Sequence, residues 1–202
     1  MSVDQKRAWD RKYDSQGILW ARTHDDWFEV GEDDLVLDVG SGSGKSNRSL
    51  GGEIVAVDFS RNALRLARDL QQNLSLICGD VRALPFSDSA FDLVRASFVI
   101  DHLRAVEHAR AMNEIIRVLK TGGFLAFECF SKLDARFTLR EVDANGDYLD
   151  GDEILHHNFD RCEIEKLLSA LSIRKFKETA WEQRVGPGEA MRRSAFRVLA
   201  QK

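Results

Sequence analysis

The sequence predicts an α/β fold, doubly wound around a mostly parallel seven-stranded sheet, closed by a terminal antiparallel strand pair and carrying a small insertion over the carboxyl edge. Three observations predict it. Apolar runs of strand length recur at Leu35 to Val39, Ile54 to Val57, Leu74 to Cys78, Phe91 to Phe98 and Phe124 to Phe130. Several are apolar on both faces, as strands of a covered parallel sheet are. Helical patterns alternate with them, which is the rhythm of right-handed β-α-β units.

The elements follow in order. The first thirty residues place Trp9, Tyr13, Trp20 and Trp27 among charges, as a leading helix packing one face would. Ser60 caps a helix whose apolar stripe is Ala63, Leu66, Ala67 and Leu70. A second stripe runs through Ala105, Ala109, Met112, Ile116 and Leu119, and Thr121-Gly122-Gly123 reads as its exit, with glycine supplying the positive φ. From Ser131 to Asp152 the chain is polar and irregular, with turn signals at Asn145-Gly146-Asp147 and Asp150-Gly151-Asp152. Asp160 to Leu171 reads as a helix, and Ser172 to Val185 and Arg193 to Ala200 as an antiparallel pair around Gly186-Pro187-Gly188. The organisation expected is one domain over 1–202, with a leading segment 1–32, a core 33–130, an insertion 131–160 and a terminal unit 161–202.

The bulk numbers agree with one core: 202 residues, 44% hydrophobic. With 29 Lys and Arg against 33 Asp and Glu, the chain has no overall pull toward a polyanion, so nucleic acid is possible as a partner but not favoured. Three cysteines, Cys78, Cys129 and Cys162, are odd in number and widely spaced, which suggests a reduced interior. No segment reaches the roughly 18 apolar residues of a membrane span, and the amino terminus lacks a secretory core. A cytoplasmic protein is the expectation.

The loop Asp38-Val-Gly40-Ser41-Gly42-Ser-Gly44-Lys-Ser joins a strand to a helical start. A phosphate-binding loop needs glycine where Val39 stands, and would set Asp38 against a triphosphate. A dinucleotide loop counted from Gly40 needs its third glycine at Lys45. A ligand without phosphate remains: glycines at 40, 42 and 44 admit close backbone approach, and Asp38 suits ammonium and sulfonium charges. S-adenosylmethionine carries both. Asp58, ending the next strand, can accept from both ribose hydroxyls, and Asp80, ending the third, can meet the adenine amino group.

In five ordered stretches the sequence resembles the class I S-adenosylmethionine-dependent methyltransferases, in their ubiquinone/menaquinone-biosynthesis-like, type 11 branch, with a Rossmann-like core. These are Leu-Asp38-Val-Gly40-Ser-Gly42-Ser-Gly44, Val-Asp58-Phe-Ser, Gly79-Asp80-Val-Arg-Ala-Leu-Pro85-Phe, Phe91-Asp92-Leu-Val and Glu114-Ile-Ile-Arg-Val-Leu-Lys-Thr-Gly122-Gly123. The resemblance implies Asp38, Gly40, Ser41, Gly42 and Gly44 around the methionine portion, and Asp58 on the ribose with Phe59 beside it. It implies Asp80 and Val81 at adenine, and Ser97 and Phe98 near the sulfonium. Two departures are a short helix after Gly44, stopped by Gly51-Gly52, and Thr121 where proline is usual.

Methyl transfer from a sulfonium is an in-line displacement in which alignment matters most and a general base is optional. His102 and Asp101, just past the fourth strand, are the candidate base or substrate contacts; plain helix-start and capping roles are the alternatives. His156 and His157 are candidates to line the acceptor pocket, without the spacing of a metal site. Trp9, Tyr13 and Trp20 either close over the cofactor or pack the leading helix. Arg184, Arg192 and Arg193 either hold an anionic acceptor or form a solvated strand face. A small-molecule acceptor is the first reading. The second is tRNA: Gly42-Ser-Gly44-Lys45-Ser, Ser97-Phe-Val-Ile-Asp-His102-Leu with Glu107 and Arg110 after it, and His156-His157-Asn-Phe159 before Cys162-Glu163-Ile look similar to the tRNA wobble-uridine carboxymethyl methyltransferases. That family has His where this chain has Asp101. A catalytically silent cofactor-binding subunit is the third.

Overall fold

A computed structural model describes residues 4–19, 27–71, 74–186 and 188–202. Helix α1 (Gln5–Gln16) leads, capped by the Asp4 carboxylate, which accepts from the Arg7 N–H. Strand β1 (Leu35–Val39), strand β2 (Glu53–Asp58), helix α2 (Arg61–Leu70) and strand β3 (Ser75–Cys78) follow. Ser60 caps α2, its hydroxyl accepting from the Ala63 N–H. Next come strand β4 (Phe91–Ser97), helix α3 (His108–Val118) and strand β5 (Leu119–Phe130). The carboxyl third holds helix α4 (Ala135–Thr138), the short strands β6 (Asp147–Leu149) and β7 (Leu155–His157), helix α5 (Arg161–Leu167), and the hairpin of β8 (Ser172–Gly186) and β9 (Glu189–Gln201).

The sheet runs β3-β2-β1-β4-β5-β9-β8. The first five strands are parallel, and β9 runs antiparallel to both β5 and β8. The fold is therefore the doubly wound, Rossmann-like α/β class that the alternation of strands and helices predicts. Strand order reverses between β1 and β4, and the crevice at their carboxyl ends is where open α/β sheets bind ligands. Pairing of β9 with β5 stops at Phe130 and Ala195, whereas β9 pairs with β8 back to Glu189. The hairpin thus projects beyond the carboxyl edge as a two-stranded ribbon.

Three elements depart from the sequence reading. Helix α3 ends at Val118, and Leu119 is already extended and paired with Phe91. Thr121-Gly122-Gly123 lies inside β5 at a break in register, where Gly122 has φ +83° and a Cβ on Gly123 would stand 2.7 Å from the Asp92 carbonyl. A bulge and a helix exit make the same demand on glycine. The buried face of α3 is His108, Ala111, Met112, Ile115 and Val118, with Ala109 exposed, because Ala105–Glu107 forms a separate 3₁₀ turn that shifts the phase. Cys78 ends its strand exposed rather than buried.

The largest departure follows β1. Instead of a short α-helix the chain makes one 3₁₀ stretch, Lys45–Ser49, and enters β2 directly. The sheet face there, formed by Val36, Leu93 and Ala126, is covered by Phe28 with Trp27, Val30 and Leu50. Its polar end is closed by Arg95, which stands opposite Asp38 in the β1–β4 register. The Arg95 Nε and Nη2 donate to the two Asp38 oxygens at 2.8 Å each, Nη1 donates to the Ser46 carbonyl at 3.1 Å, and Nη2 also reaches the Asn47 side-chain oxygen. This buried fork ties β1, β4 and the 3₁₀ stretch together in place of helix packing. Breaking a buried pair from one side strands a charge, which costs roughly 3–5 kcal/mol. Arg95→Leu should lose stability on that scale in urea unfolding, and Asp38→Leu combined with Arg95→Leu should lose less than Arg95→Leu alone.

Candidate functional site

The loop after β1 turns on three left-handed glycines, Gly40, Gly42 and Gly44, at φ +68°, +55° and +69°. A Cβ at Gly40 would come within 2.5 Å of Val99 Cγ2, and one at Gly42 within 2.5 Å of the Tyr13 hydroxyl. Side chains are therefore excluded by conformation and by space. Asp58 holds the loop from β2: its Oδ2 accepts from the Gly42 N–H and its Oδ1 from the Ser60 N–H, both at 2.8 Å. Burial raises the Asp58 carboxyl to about 6, against the pull of those two donors. Ser41 Oγ and Asn47 Nδ2, both buried in this loop, have no partner among the described residues.

Beside the loop a cleft of about 550 Å³ opens at the carboxyl ends of β2, β3 and β4, lined by Phe59, Gly79, Asp80, Arg82, His102 and Leu155. That volume suits a nucleoside-sized ligand. The Arg82 guanidinium clasps Asp80, with Nε to Oδ1 at 2.9 Å and Nη2 to Oδ2 at 2.5 Å, and extends to Glu107. Burial alone would raise the Asp80 carboxyl; Arg82 overcomes it and holds the group below its usual range.

Helix α1 lies across this edge. On one flank Asp10 accepts from the Ser60 hydroxyl at 2.7 Å, and Asn62 Nδ2 donates to the Asp10 carbonyl at 3.0 Å. On the other, Gln5 exchanges hydrogen bonds with the Glu153 carbonyl and the Leu155 N–H, while Arg11 and Lys12 pair with Glu153 and Asp152. The β6–β7 ribbon is the second cover, tied to the turn after β4 by the Ala105 N–H, which donates to Asp147. The two covers meet at His102, whose ring centroid lies 4.8 Å from that of Trp9 of α1 and 4.8 Å from that of His156 of β7.

The turn after β4 carries Phe98, Asp101 and His102. Phe98 has φ +52°, strained for a side chain of that size, and its ring lies 4.5 Å from that of Phe130. Asp101 is fully buried; Oδ2 accepts from the Phe130 N–H at 2.9 Å, and Oδ1 has no partner among the described residues. Burial raises its carboxyl to about 7, against the Phe130 donor. His102 Nδ1 bonds the Leu155 carbonyl at 2.9 Å. Since a carbonyl only accepts, Nδ1 carries the proton and Nε2 keeps its lone pair. Burial, then His156, lowers His102 to about 3, so the ring is neutral at physiological pH.

The sequence-derived residues thus divide. Phe59 and Asp80 line the cleft, whereas Gly40, Ser41, Gly42 and Gly44 form the adjoining loop, which Asp58 holds and Tyr13 abuts; the oxygens of Asp58 and Asp80 are engaged by the Gly42 and Ser60 N–H groups and by Arg82 respectively. Asp38 does not face a ligand, because Arg95 occupies both of its oxygens. Val81 packs in the core, and the Ser97 hydroxyl donates to Glu128 Oε2 at 2.8 Å. His156 stacks on Tyr148 and bonds Asp150 through Nε2 at 3.1 Å. His157 turns to the opposite side, toward His108 and Phe159, with Nδ1 on Asp147 at 2.9 Å, as the next residue of a strand must. Trp20 lies outside the described residues. Of the hairpin arginines, Arg184 and Arg192 are exposed and Arg193 is buried. Arg95 and Glu128 were missed, although a single charge within an apolar strand run is a signal that a partner lies across the sheet. Among the described residues no cluster of three His, Cys, Asp or Glu side chains has metal-binding geometry, and no helix is long and apolar enough to cross a membrane.

Residues 37–127 match the family model described as "Methyltransferase domain". The demethylmenaquinone methyltransferase of Renibacterium salmoninarum is 38% identical over 99 residues, 48% of this chain and 41% of that protein. The ubiquinone/menaquinone biosynthesis C-methyltransferase of Pseudomonas aeruginosa is 32% identical over 139 residues, 62% of this chain and 53% of that protein. The chain therefore spans about half the length, or less, of these curated relatives. Among solved structures, a SAM-dependent methyltransferase from Methanosarcina mazei superposes with a TM-score of 0.72 at 26% identity, covering 86% of this chain and 94% of its own.

Asp101 generates a prediction that needs no ligand. The folded carboxyl keeps its proton to about pH 7, whereas an unfolded one releases it near its ordinary value of 3.8. Folding therefore takes up a proton between those values, and the stability gained below 3.8 is lost as pH rises through about 7. Asp101→Asn has no proton to lose. Its Tm should gain steadily on the wild type from about pH 4 to about pH 7 and hold a constant lead above that; a difference flat across the range would remove the titration.

Proposed function

We propose that this chain, whose residues 37–127 are a methyltransferase-domain core that uses S-adenosylmethionine, transfers a methyl group to a small-molecule acceptor. The observation that carries the size of the acceptor is the pair of covers. Helix α1 and the β6–β7 ribbon lie over the carboxyl edge, and His102, which lines the cleft, is bonded to the Leu155 carbonyl of the ribbon. An acceptor must fit under both. The family match ends at residue 127, before the insertion begins, so the acceptor side rests on residues outside the matched core.

The residues present fit the cofactor: a glycine loop where side chains cannot stand, a buried carboxylate on the next strand, and an adjoining nucleoside-sized cleft. When bound, the cofactor supplies an electrophilic methyl group whose departure leaves a neutral thioether, so alignment is the main demand on the protein, worth roughly 7–11 kcal/mol in well-oriented pairs. Gly40, Gly42 and Gly44 let the backbone approach the methionine portion. Asp58 meets the ribose, and Phe59 and Gly79 flank the base. Where the acceptor nucleophile carries a proton, Asp101 Oδ1 is the better-tuned receiver, because a base works best near the operating pH and His102 lies far below it. His102 instead offers the Nε2 lone pair as a fixed acceptor that orients the acceptor molecule. The two covers exclude water.

Calorimetric titration with S-adenosylmethionine should show saturable binding that Asp58→Ala weakens by at least about tenfold, or 1.4 kcal/mol. Equal affinity in the two proteins would overturn the cofactor placement. Methyl transfer from labelled cofactor into a cell extract should then appear in the metabolite fraction; label in RNA would replace the small-molecule reading with the tRNA one.

A further inference from the structure

Arg193 is only 2% exposed, yet its guanidinium is incompletely bonded. Nε donates to Asp134 Oδ2 at 2.7 Å and Nη1 to the Gln183 side chain, while Nη2 is buried with no partner among the described residues. Leaving a donor of a charged group unmet in the interior costs more than leaving a neutral one, so its retention asks for a ligand. The guanidinium carbon sits 4.5 Å from the centre of the Phe130 ring and 5.9 Å from that of Trp181. The same Phe130 binds Asp101 through its N–H and touches Phe98 through its ring. The orphaned arm thus lies next to Phe130, which ends β5, and so near the turn after β4 that Phe130 binds.

Asp134, the carboxylate that takes the Arg193 Nε, is already engaged by the Arg136 and Ser194 N–H groups, at 3.0 Å each. Among the described residues the Arg136 side chain makes no hydrogen bond or ion pair, and burial, then the Arg193 charge, makes its protonated form harder to keep than usual. The Arg193 Nη2 and the Arg136 guanidinium are thus two cationic groups with donors to spare on one side of the carboxyl edge.

We propose that Arg193, assisted by Arg136, anchors a carboxylate of the acceptor, which is therefore a small ring compound bearing an acid group, seated against Phe98 and Phe130. This rests on the methyltransferase reading and gives it a substrate class. A planar carboxylate matches the guanidinium fork, and the aromatic pair supplies the apolar wall for a ring. The anchored acid fixes the ring's orientation toward Asp101.

The test compares two probes that differ in one charge, 3-hydroxybenzoate and 3-hydroxybenzamide, by calorimetry on the wild-type chain saturated with S-adenosylhomocysteine. The acid should bind at least about tenfold more tightly than the amide, and Arg193→Lys should erase most of that preference while S-adenosylhomocysteine affinity stays within about twofold. Equal binding of acid and amide, or no binding of either at millimolar concentration to protein that holds S-adenosylhomocysteine, overturns the anchor and leaves the methyltransferase reading standing. Failure to bind S-adenosylhomocysteine overturns that reading itself. The probe pair decides the matter on wild-type protein even where Arg193→Lys folds poorly.

Discussion

The buried pair of Asp38 and Arg95 is the constraint on which the rest of the site depends. Each group alone would be untenable at the centre of a sheet, and together they form a neutral two-bond fork. Because Arg95 also takes the Ser46 carbonyl and the Asn47 side chain, it fixes the path of the chain just after the glycine loop. A helix usually does that by packing along the sheet. Here a single guanidinium does it by hydrogen bonding, which allows the connection from β1 to β2 to shrink to one 3₁₀ stretch. The loop's conformation is then set from two directions, by Arg95 below and by Asp58 beside it.

A similar economy shapes the far side of the sheet. Glu128 receives the Ser97 hydroxyl on one oxygen and the Arg197 Nε on the other, both at 2.8 Å, and so links β4, β5 and β9. Asp134 performs the equivalent task for the projecting ribbon, gathering Arg193 and the Ser194 N–H. Three carboxylates, Asp38, Glu128 and Asp134, thus align the carboxyl edge across the width of the sheet. Each is saturated by its partners. Among the described residues Asp101 differs from these three: Oδ2 accepts from the Phe130 N–H and Oδ1 is buried without a partner.

Much of the fold was legible because buried parallel strands have a plain signature: Leu35 to Val39 and Phe91 to Ser97 are apolar on both faces and have no competing helical reading. Ambiguity arose where two structures make the same local demand. Gly122-Gly123 satisfies a helix exit and a strand bulge equally, and only the pairing of Leu119 with Phe91 separates them. Of the site, the left-handed glycines of the loop were readable because their requirements are local, whereas the bonds of Asp58 to the Gly42 and Ser60 N–H groups were not. The role of Asp38 was not, since its partner lies 57 residues away and the carboxylate looks the same paired or free. Arg184, Arg192 and Arg193 illustrate the point: composition treats them alike, and the strand register alone turns Arg193 inward opposite Trp181 while Arg192 faces out.

Helix α1 joins the two halves of the active edge as a strut, fastened to α2 on one flank and to the insertion on the other. Each flank combines a sheltered fastening with an exposed one: Lys12 and the exposed Arg11–Glu153 pair toward the insertion, and Asp10 and the exposed Arg65–Asp14 pair toward α2. Exposed ion pairs are weak and screened by salt. The seat of α1 on the carboxyl edge is therefore partly electrostatic on both flanks, and it loosens on both as ionic strength rises.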